Sequence, residues 1–188
     1  MNILYTAEAV VEGGRAGHGR TSDGRLAVEL SVPQEMGGAG GPGTNPEQLF
    51  AVGYAACFQS ALLSVAQGRK LDASDSTIAA RVGIGPTGHG GFGLTVALDL
   101  HAPRLSRVDA EDLMRRAHER CPYSNATRGN IDVTLTVDGT ELTARRRDGS
   151  GMRIVRKASC GRLGGTNSRR IGPASASCSM AAARGAAG

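Results

Sequence analysis

The sequence predicts an α+β domain in which antiparallel sheets pack on two central helices. Several segments alternate apolar and polar residues, as half-buried strands do. One long segment is apolar on nearly all sides, and a second repeats apolar residues at helical spacing. Because short loops join neighbouring strands, we expect hairpins to dominate. The predicted order of elements is β-β-α-β-β-α-β.

The N-terminal region contains two predicted strands, residues 3–12 and 25–33. In the second, every other side chain from Leu26 to Val32 is apolar, which is typical of one buried face. A glycine-rich loop that contains Arg15 separates the two strands. The inward positions of the first strand are predicted to be Ile3, Tyr5, Ala7 and Ala9.

The central predicted helix covers residues 44–67. Thr44 or Asn45 can cap its N-terminus, and Pro46 suits the first helical position because proline lacks a backbone N–H. Glu47 follows in the first turn, where the helix dipole favours an anion. The helix is too long and too apolar for one small sheet to cover, so the sequence predicts a homodimer that buries the remainder.

Four more elements follow: strands over 76–84 and 92–100, a helix over 106–121 and a last strand over 130–137. Ser106 and Asp109 are spaced as a capping box, and Pro122 should end the second helix. Residues 83–88 match G-x-G-x-x-G, but they join strand to strand. A dinucleotide-binding fingerprint opens a helix, so no nucleotide site is predicted.

The net charge of +5 is unevenly distributed. Residues 1–139 hold 12 Lys and Arg against 15 Asp and Glu, whereas residues 140–188 hold 10 against 2. A basic surface typical of a nucleic-acid binder is therefore not indicated for the folded part. We predict a domain over 1–138 and a disordered basic tail over 139–188, whose abrupt change of composition is what an altered reading frame would produce.

The N-terminus, MNILYTAEA, lacks the basic and apolar regions of a signal peptide. Gln59 and Ser60 interrupt the one long apolar run, so no membrane span is expected. These features predict a cytoplasmic location, where paired cysteines suggest redox or metal chemistry.

Two cysteines, Cys57 and Cys121, lie in the predicted domain. A cysteine inside an apolar helix is most often an inert core residue. A reactive thiolate at Cys57 would need a nearby cation, for which Arg15 and Arg128 are the candidates. Glu47 could orient such an arginine through a bidentate contact.

Three segments carry a resemblance to a known family: GTNPEQLFAVGYAACF (43–58), RVGIGPTGHGGFGL (81–94) and CPYSNATRGNIDVTL (121–135). They resemble the organic hydroperoxide resistance proteins, which are thiol peroxidases related to osmotically inducible protein C (OsmC). The resemblance covers roughly residues 3–137. It implies an OsmC-like fold and an intertwined homodimer.

The resemblance also implies roles for four residues. Cys57 matches the peroxidatic cysteine and Cys121 the resolving cysteine, while Arg15 matches the arginine that stabilises the thiolate and Glu47 the carboxylate that holds this arginine. The implied activity is reduction of an organic or lipid hydroperoxide through a Cys57 sulfenic acid and a Cys57–Cys121 disulfide. A dithiol, by resemblance a dihydrolipoyl protein, would restore the thiols, and neither a cofactor nor a metal is implied.

Two alternatives remain open. His118 and Cys121 lie three residues apart on a helix and could form part of a metal site with Cys57, although structural zinc sites usually take four ligands. The cysteine pair could also serve a non-enzymatic redox sensor or binding module, which would be oxidised once without turnover.

Helix geometry sets a further expectation for the site. Ten residues separate Glu47 from Cys57, which corresponds to a rise of about 15 Å on a continuous helix. An arginine held by Glu47 therefore cannot easily reach Cys57 of the same chain unless the helix breaks, most readily at Gly53. Otherwise Arg15 and Glu47 come from the partner subunit, and the active sites lie at the dimer interface.

Overall fold

The computed structural model describes residues 1–143. Two sheets and three helices make up this part of the chain. The first sheet is antiparallel, with strands β1 (Ala9–Glu12), β2 (His18–Thr21) and β3 (Ala27–Glu29) in that order. The predicted tail, 139–188, lies outside the described residues except for its first positions.

The second sheet contains β4 (Thr77–Pro86), β5 (Phe92–His101), β6 (Val133–Val137) and β7 (Thr140–Glu141), in that order. Strands β4 and β5 form the predicted antiparallel hairpin. The pairing of β5 with β6 is parallel, which differs from the wholly antiparallel sheet that we predicted. The reason is the long helical connection between these strands, which is the crossover that parallel neighbours require.

Helices α1 (Pro46–Gly68) and α2 (Arg107–Arg120) pack on the second sheet and on each other, and both contact the short helix α3 (Pro122–Thr127). Asn45 caps α1 by accepting a hydrogen bond of 2.9 Å from the backbone of Gln48. Ser106 caps α2 in the same way through the backbone of Asp109. Pro122 ends α2 as predicted, and it also occupies the first position of α3, which we did not predict.

The core lies between α1, α2 and the inner face of the second sheet. Along α1 the fully buried side chains are those of Tyr54, Phe58 and Leu62. Other apolar side chains of α1 remain uncovered within one chain, since Val52 is 70% exposed and Leu49 and Leu63 are also exposed.

Helix α1 is the one helix of the described region that is long and apolar enough to cross a membrane by length and composition. Its most apolar 18 residues have a mean hydropathy of 1.7, and 28% of them are buried in the domain. A central helix of a folded domain can meet the same criterion, so this observation alone does not assign α1 to a membrane.

The N-terminal strand is shorter than predicted. Residues 1–8 are outside any strand, and the predicted inward positions Ile3 and Tyr5 are 69% and 78% exposed. The apolar side chains at alternate positions of this segment find no surface to pack against within residues 1–143 of one chain. The segment predicted as a loop after it contains β2, a short strand whose polar and glycine residues gave no periodic signal.

The folded region extends beyond the predicted boundary at residue 138. Strand β7 pairs with β6, and Thr143 is held by Glu111 of α2 through its backbone N–H and its hydroxyl. The Glu111 carboxylate, only 4% exposed, also accepts hydrogen bonds from Arg107 and Arg115. The donors, foremost Thr143 and then Arg107, lower the pKa of Glu111 to about 2.

Candidate active site

The two cysteines of the described region lie together. Cys57 is in the middle of α1, and Cys121 occupies the junction between α2 and α3. Their Sγ atoms are 3.5 Å apart, and both are free thiols. Cys121 is fully buried, whereas Cys57 is partly exposed. A disulfide bond of about 2.05 Å would require only a small approach of the two sulfurs.

A buried hydrogen-bond network holds α3, and with it the Cys121 junction, against α1. The hydroxyl of Tyr54 donates to Ser124 Oγ at 3.0 Å and lies 3.2 Å from Thr127 Oγ1. The ring of Tyr123 stacks on Phe50, with 5.9 Å between ring centroids. These contacts fix the distance between the two cysteine-bearing elements.

The surroundings of Cys57 oppose its ionisation. Burial raises the pKa of the Cys57 thiol above its ordinary value of 9.0, because it penalises the thiolate. A hydrogen bond from the backbone N–H of Tyr123 acts in the opposite direction, and the neighbouring Cys121 thiol adds to the increase. No arginine of the described region contributes to this balance. Among residues 1–143 this balance favours the protonated thiol over the nucleophilic thiolate.

Arg15 and Glu47 form a second pair. Both terminal nitrogens of the guanidinium donate to the carboxylate at 2.8 Å, which is the bidentate geometry. The hydrogen bond from Arg15 is the main cause that lowers the pKa of Glu47. Arg15 lies in a short 3-10 turn, Gly14–Ala16, which begins with two left-handed glycines. A backbone bridge from Leu30 to Thr44 links the first sheet to the start of α1 and so brings this turn to Glu47.

The two pairs occupy different places in one chain. Helix α1 is continuous from Pro46 to Gly68, so the break at Gly53 that a site within one chain would need is absent. The ten residues from Glu47 to Cys57 correspond to about 15 Å of rise. Arg128, the other candidate cation, donates to the backbone oxygen of His118. The chain therefore brings together Cys57 with Cys121 and Arg15 with Glu47, but not these two pairs with each other.

An open cavity of about 350 Å³ lies beside Cys57. Its lining residues are Cys57, Ser60, Ala61, Ser64, Arg120 and Pro122. Arg120 and the backbone of Tyr123 lie at the site but were not predicted from the sequence. The available signal was their position beside Cys121, since Arg120 directly precedes it and Tyr123 follows two residues later.

Within residues 1–143 no group of three or more His, Cys, Asp and Glu side chains is arranged to hold a metal ion. His118 is half-buried, and burial is the main cause that lowers its pKa. The metal site that would join His118 with the two cysteines thus gains no support from the described geometry.

Comparison with known proteins identifies the family. Residues 37–136 match the model of the OsmC-like proteins. An organic hydroperoxide resistance protein of Xanthomonas axonopodis pv. citri is 53% identical over 136 residues, which cover 72% of this chain and 95% of the relative. The chain belongs to the organic hydroperoxide resistance proteins of the OsmC-like family. OhrB of Bacillus subtilis is 46% identical over 133 residues, covering 70% of the chain and 96% of that protein.

Solved structures support the same membership. The organic hydroperoxide resistance protein of Legionella pneumophila is 51% identical and aligns with a TM-score of 0.69, over 72% of this chain and 98% of that one. A protein of Vibrio cholerae, crystallised with captopril bound in one of the active sites, is 51% identical with a TM-score of 0.71, over 76% and 97% of the two chains. The OsmC-like fold and the association with organic hydroperoxide resistance follow for this member of the family.

Proposed function

We propose that the protein is a thiol peroxidase that reduces organic hydroperoxides to alcohols, with Cys57 as the peroxidatic and Cys121 as the resolving cysteine. The observation that supports this most directly is the distance of 3.5 Å between two free thiols, one of which borders an open cavity. The family membership supports organic hydroperoxides as the substrate class.

The chemistry proceeds in three steps. The Cys57 thiolate attacks the distal oxygen of the hydroperoxide, an S–O bond forms as the O–O bond breaks, and the departing alkoxide takes up a proton to become the alcohol. The Cys121 sulfur then attacks the sulfenic acid, and water leaves as the disulfide forms. An external dithiol reduces this disulfide by exchange and is itself oxidised to a disulfide. A dihydrolipoyl protein is the proposed reductant.

The first step needs a cation, and no arginine or lysine among residues 1–143 of a single chain lowers the pKa of Cys57. Burial raises the pKa of this thiol, and the only bidentate arginine–carboxylate pair near the start of α1 in the described region is that of Arg15 and Glu47. We therefore propose a homodimer in which this pair of one subunit stabilises the Cys57 thiolate of the other. The exposed apolar side chains of α1, among them Val52 and Leu63, support such an interface.

Complementation between two inactive variants tests the shared site. Cys57→Ser removes the nucleophile, and Arg15→Ala removes the cation that lowers the pKa of the thiol, so each homodimer should lose activity. In a coexpressed heterodimer, one of the two sites receives Cys57 from one chain and Arg15 from the other. We expect recovery of up to half of the wild-type activity per dimer with cumene hydroperoxide and dihydrolipoamide.

Two results would contradict the proposal. Heterodimers that form but recover no activity would place each complete site within a single chain. The second result concerns turnover of the wild-type protein. If cumene hydroperoxide oxidises it once, and neither dihydrolipoamide nor another dithiol restores activity, the redox-sensor alternative would be supported instead.

A further inference from the structure

The cavity beside Cys57 is lined by a charged side chain, Arg120, that has no role in the proposed mechanism. Its volume of about 350 Å³ is within the range of pockets that bind small organic ligands. Ala61 and Pro122 give it apolar surface, which suits the carbon skeleton of a substrate. Arg120, the last residue of α2, contributes a guanidinium to the same wall.

The guanidinium of Arg120 is not engaged by the rest of the domain. Within residues 1–143, Arg120 makes no hydrogen bond or ion pair, whereas its helix neighbours Arg115 and Arg116 pair with Glu111 and Asp112. Burial, the backbone of Tyr123 and the Cys121 thiol shift the pKa of Cys57, and Arg120 is not among these groups. An exposed arginine with five unused donors on the wall of a substrate cavity can bind a planar anion.

We propose that Arg120 binds a carboxylate carried by the hydroperoxide, so that the enzyme favours acidic hydroperoxides over their neutral esters. This inference rests on the proposed peroxidase function and adds a specificity-determining residue to it. Arg120 directly precedes Cys121, whose sulfur lies 3.5 Å from that of Cys57. A compact substrate can therefore present its carboxylate to Arg120 while its peroxide group faces Cys57. A guanidinium binds a carboxylate through two parallel hydrogen bonds, which also orients the substrate.

The rate at which each hydroperoxide oxidises Cys57 in a single turnover separates carboxylate binding by Arg120 from a general effect on the cavity. The probes are cumene hydroperoxide with a para-carboxylate and its methyl ester, which differ in charge but share the reacting group. The reduced full chain is mixed with each probe without reductant, and loss of the Cys57 thiol gives the second-order rate constant. The variants are Arg120→Gln and Arg120→Lys. Arg116→Gln is the matched control, since it removes the same charge from the same helix away from the cavity lining.

The wild-type chain should react faster with the acid than with the ester. Arg120→Gln should slow the reaction with the acid about fivefold and leave that with the ester unchanged. Arg120→Lys should restore part of the preference, and Arg116→Gln should retain it in full. Because the guanidinium is exposed, added salt should reduce the preference of the wild-type chain but not the rates of Arg120→Gln.

Four outcomes would overturn the inference. An equal loss with acid and ester in Arg120→Gln would indicate a general effect on the cavity, and an unchanged rate with the acid would remove any role in substrate binding. Normal oxidation followed by slower reduction of the disulfide would assign Arg120 to the reductant. A wild-type chain that reacts with neither probe would refute the peroxidase proposal as well, whereas the preceding outcomes leave that proposal intact.

Discussion

Replacing Tyr54 by phenylalanine tests the network that holds the Cys121 junction against α1. Tyr54 and Ser124 are both fully buried, and the Tyr54 hydroxyl is the hydrogen-bond partner of Ser124 Oγ. Tyr54→Phe removes this donor and leaves a buried hydroxyl without its partner. An unsatisfied buried group costs about 1–3 kcal/mol, and we expect the free energy of unfolding to fall by about 1–2 kcal/mol.

Denaturant unfolding of the reduced protein at one fixed protein concentration measures this change, because association would make the apparent stability depend on concentration. Ser124→Ala and the double variant complete a cycle with Tyr54→Phe. The double variant removes both partners of the hydrogen bond, so its cost should be smaller than the sum of the two single costs by about 1 kcal/mol. Tyr123→Phe is the control, because this ring is 39% exposed and none of the hydrogen bonds among the described residues involves its hydroxyl.

Additive single costs would show that the two hydroxyls do not interact, and an unchanged stability of Tyr54→Phe would show that water replaces the lost donor. Either result would refute the conclusion that this bond fixes α3 against α1. A loss as large in Tyr123→Phe would point to packing of the aromatic rings rather than to the buried hydrogen bond.

Two further predictions concern Glu111, whose carboxylate binds Thr143, and Cys121. Glu111→Gln should destabilise the domain at neutral pH by about 1–3 kcal/mol. The pKa of Glu111 is depressed to about 2, so its ionised carboxylate contributes fully to the free energy of unfolding above the ordinary pKa of 4.5, and this contribution is lost as the pH falls toward 2. The difference in stability between wild type and variant should therefore shrink on acidification. A difference that does not depend on pH would contradict this explanation. Cys121→Ser should still consume one equivalent of hydroperoxide and then accumulate the Cys57 sulfenic acid, which a dimedone adduct detects by mass spectrometry. Normal turnover of Cys121→Ser with dihydrolipoamide would remove the resolving role from Cys121.

The elements that could be predicted are those whose local chemistry and periodicity agree. The start of α1 follows from Asn45 and Pro46, since a capping side chain and a proline without an N–H both favour a helix beginning there. The hairpin of β4 and β5 follows from two long alternating segments joined by a short glycine-rich loop. In each case the signal lies within a few neighbouring residues.

The elements that were missed depend on contacts distant in sequence. Strand β7 has two residues, and its place is set by β6 and by the hydrogen bonds of Thr143 to Glu111. Helix α3 has six residues and is held by the buried hydroxyl of Tyr54, seventy positions away from Ser124. Neither segment is long enough to show a period. The parallel pairing of β5 with β6 likewise depends on the path of α2 and not on the strands themselves.

Physical reasoning from the sequence reached only part of the candidate site. The spacing of Glu47 and Cys57 made a contact within one chain difficult unless α1 breaks between them. The neighbouring positions of Cys57 and Cys121 had no local signal, because 64 residues separate them. Only resemblance to a family suggested that pair before the fold brought the two sulfurs together.

The proposed dimer must satisfy a symmetry condition. In a two-fold interface each subunit offers the same surface, so Glu47 of one subunit can approach Cys57 of the other only if the reverse contact also forms. At about 100° per residue, Val52 points roughly 180° away from the mean direction of Glu47 and Cys57 on α1. The exposed apolar face that contains Val52, which is 70% exposed, is therefore not the face that carries the two site residues. A dimer that buries the face of Val52 must form its shared sites beside this contact, where the turn of Arg15 and Glu47 of one subunit meets Cys57 of the other.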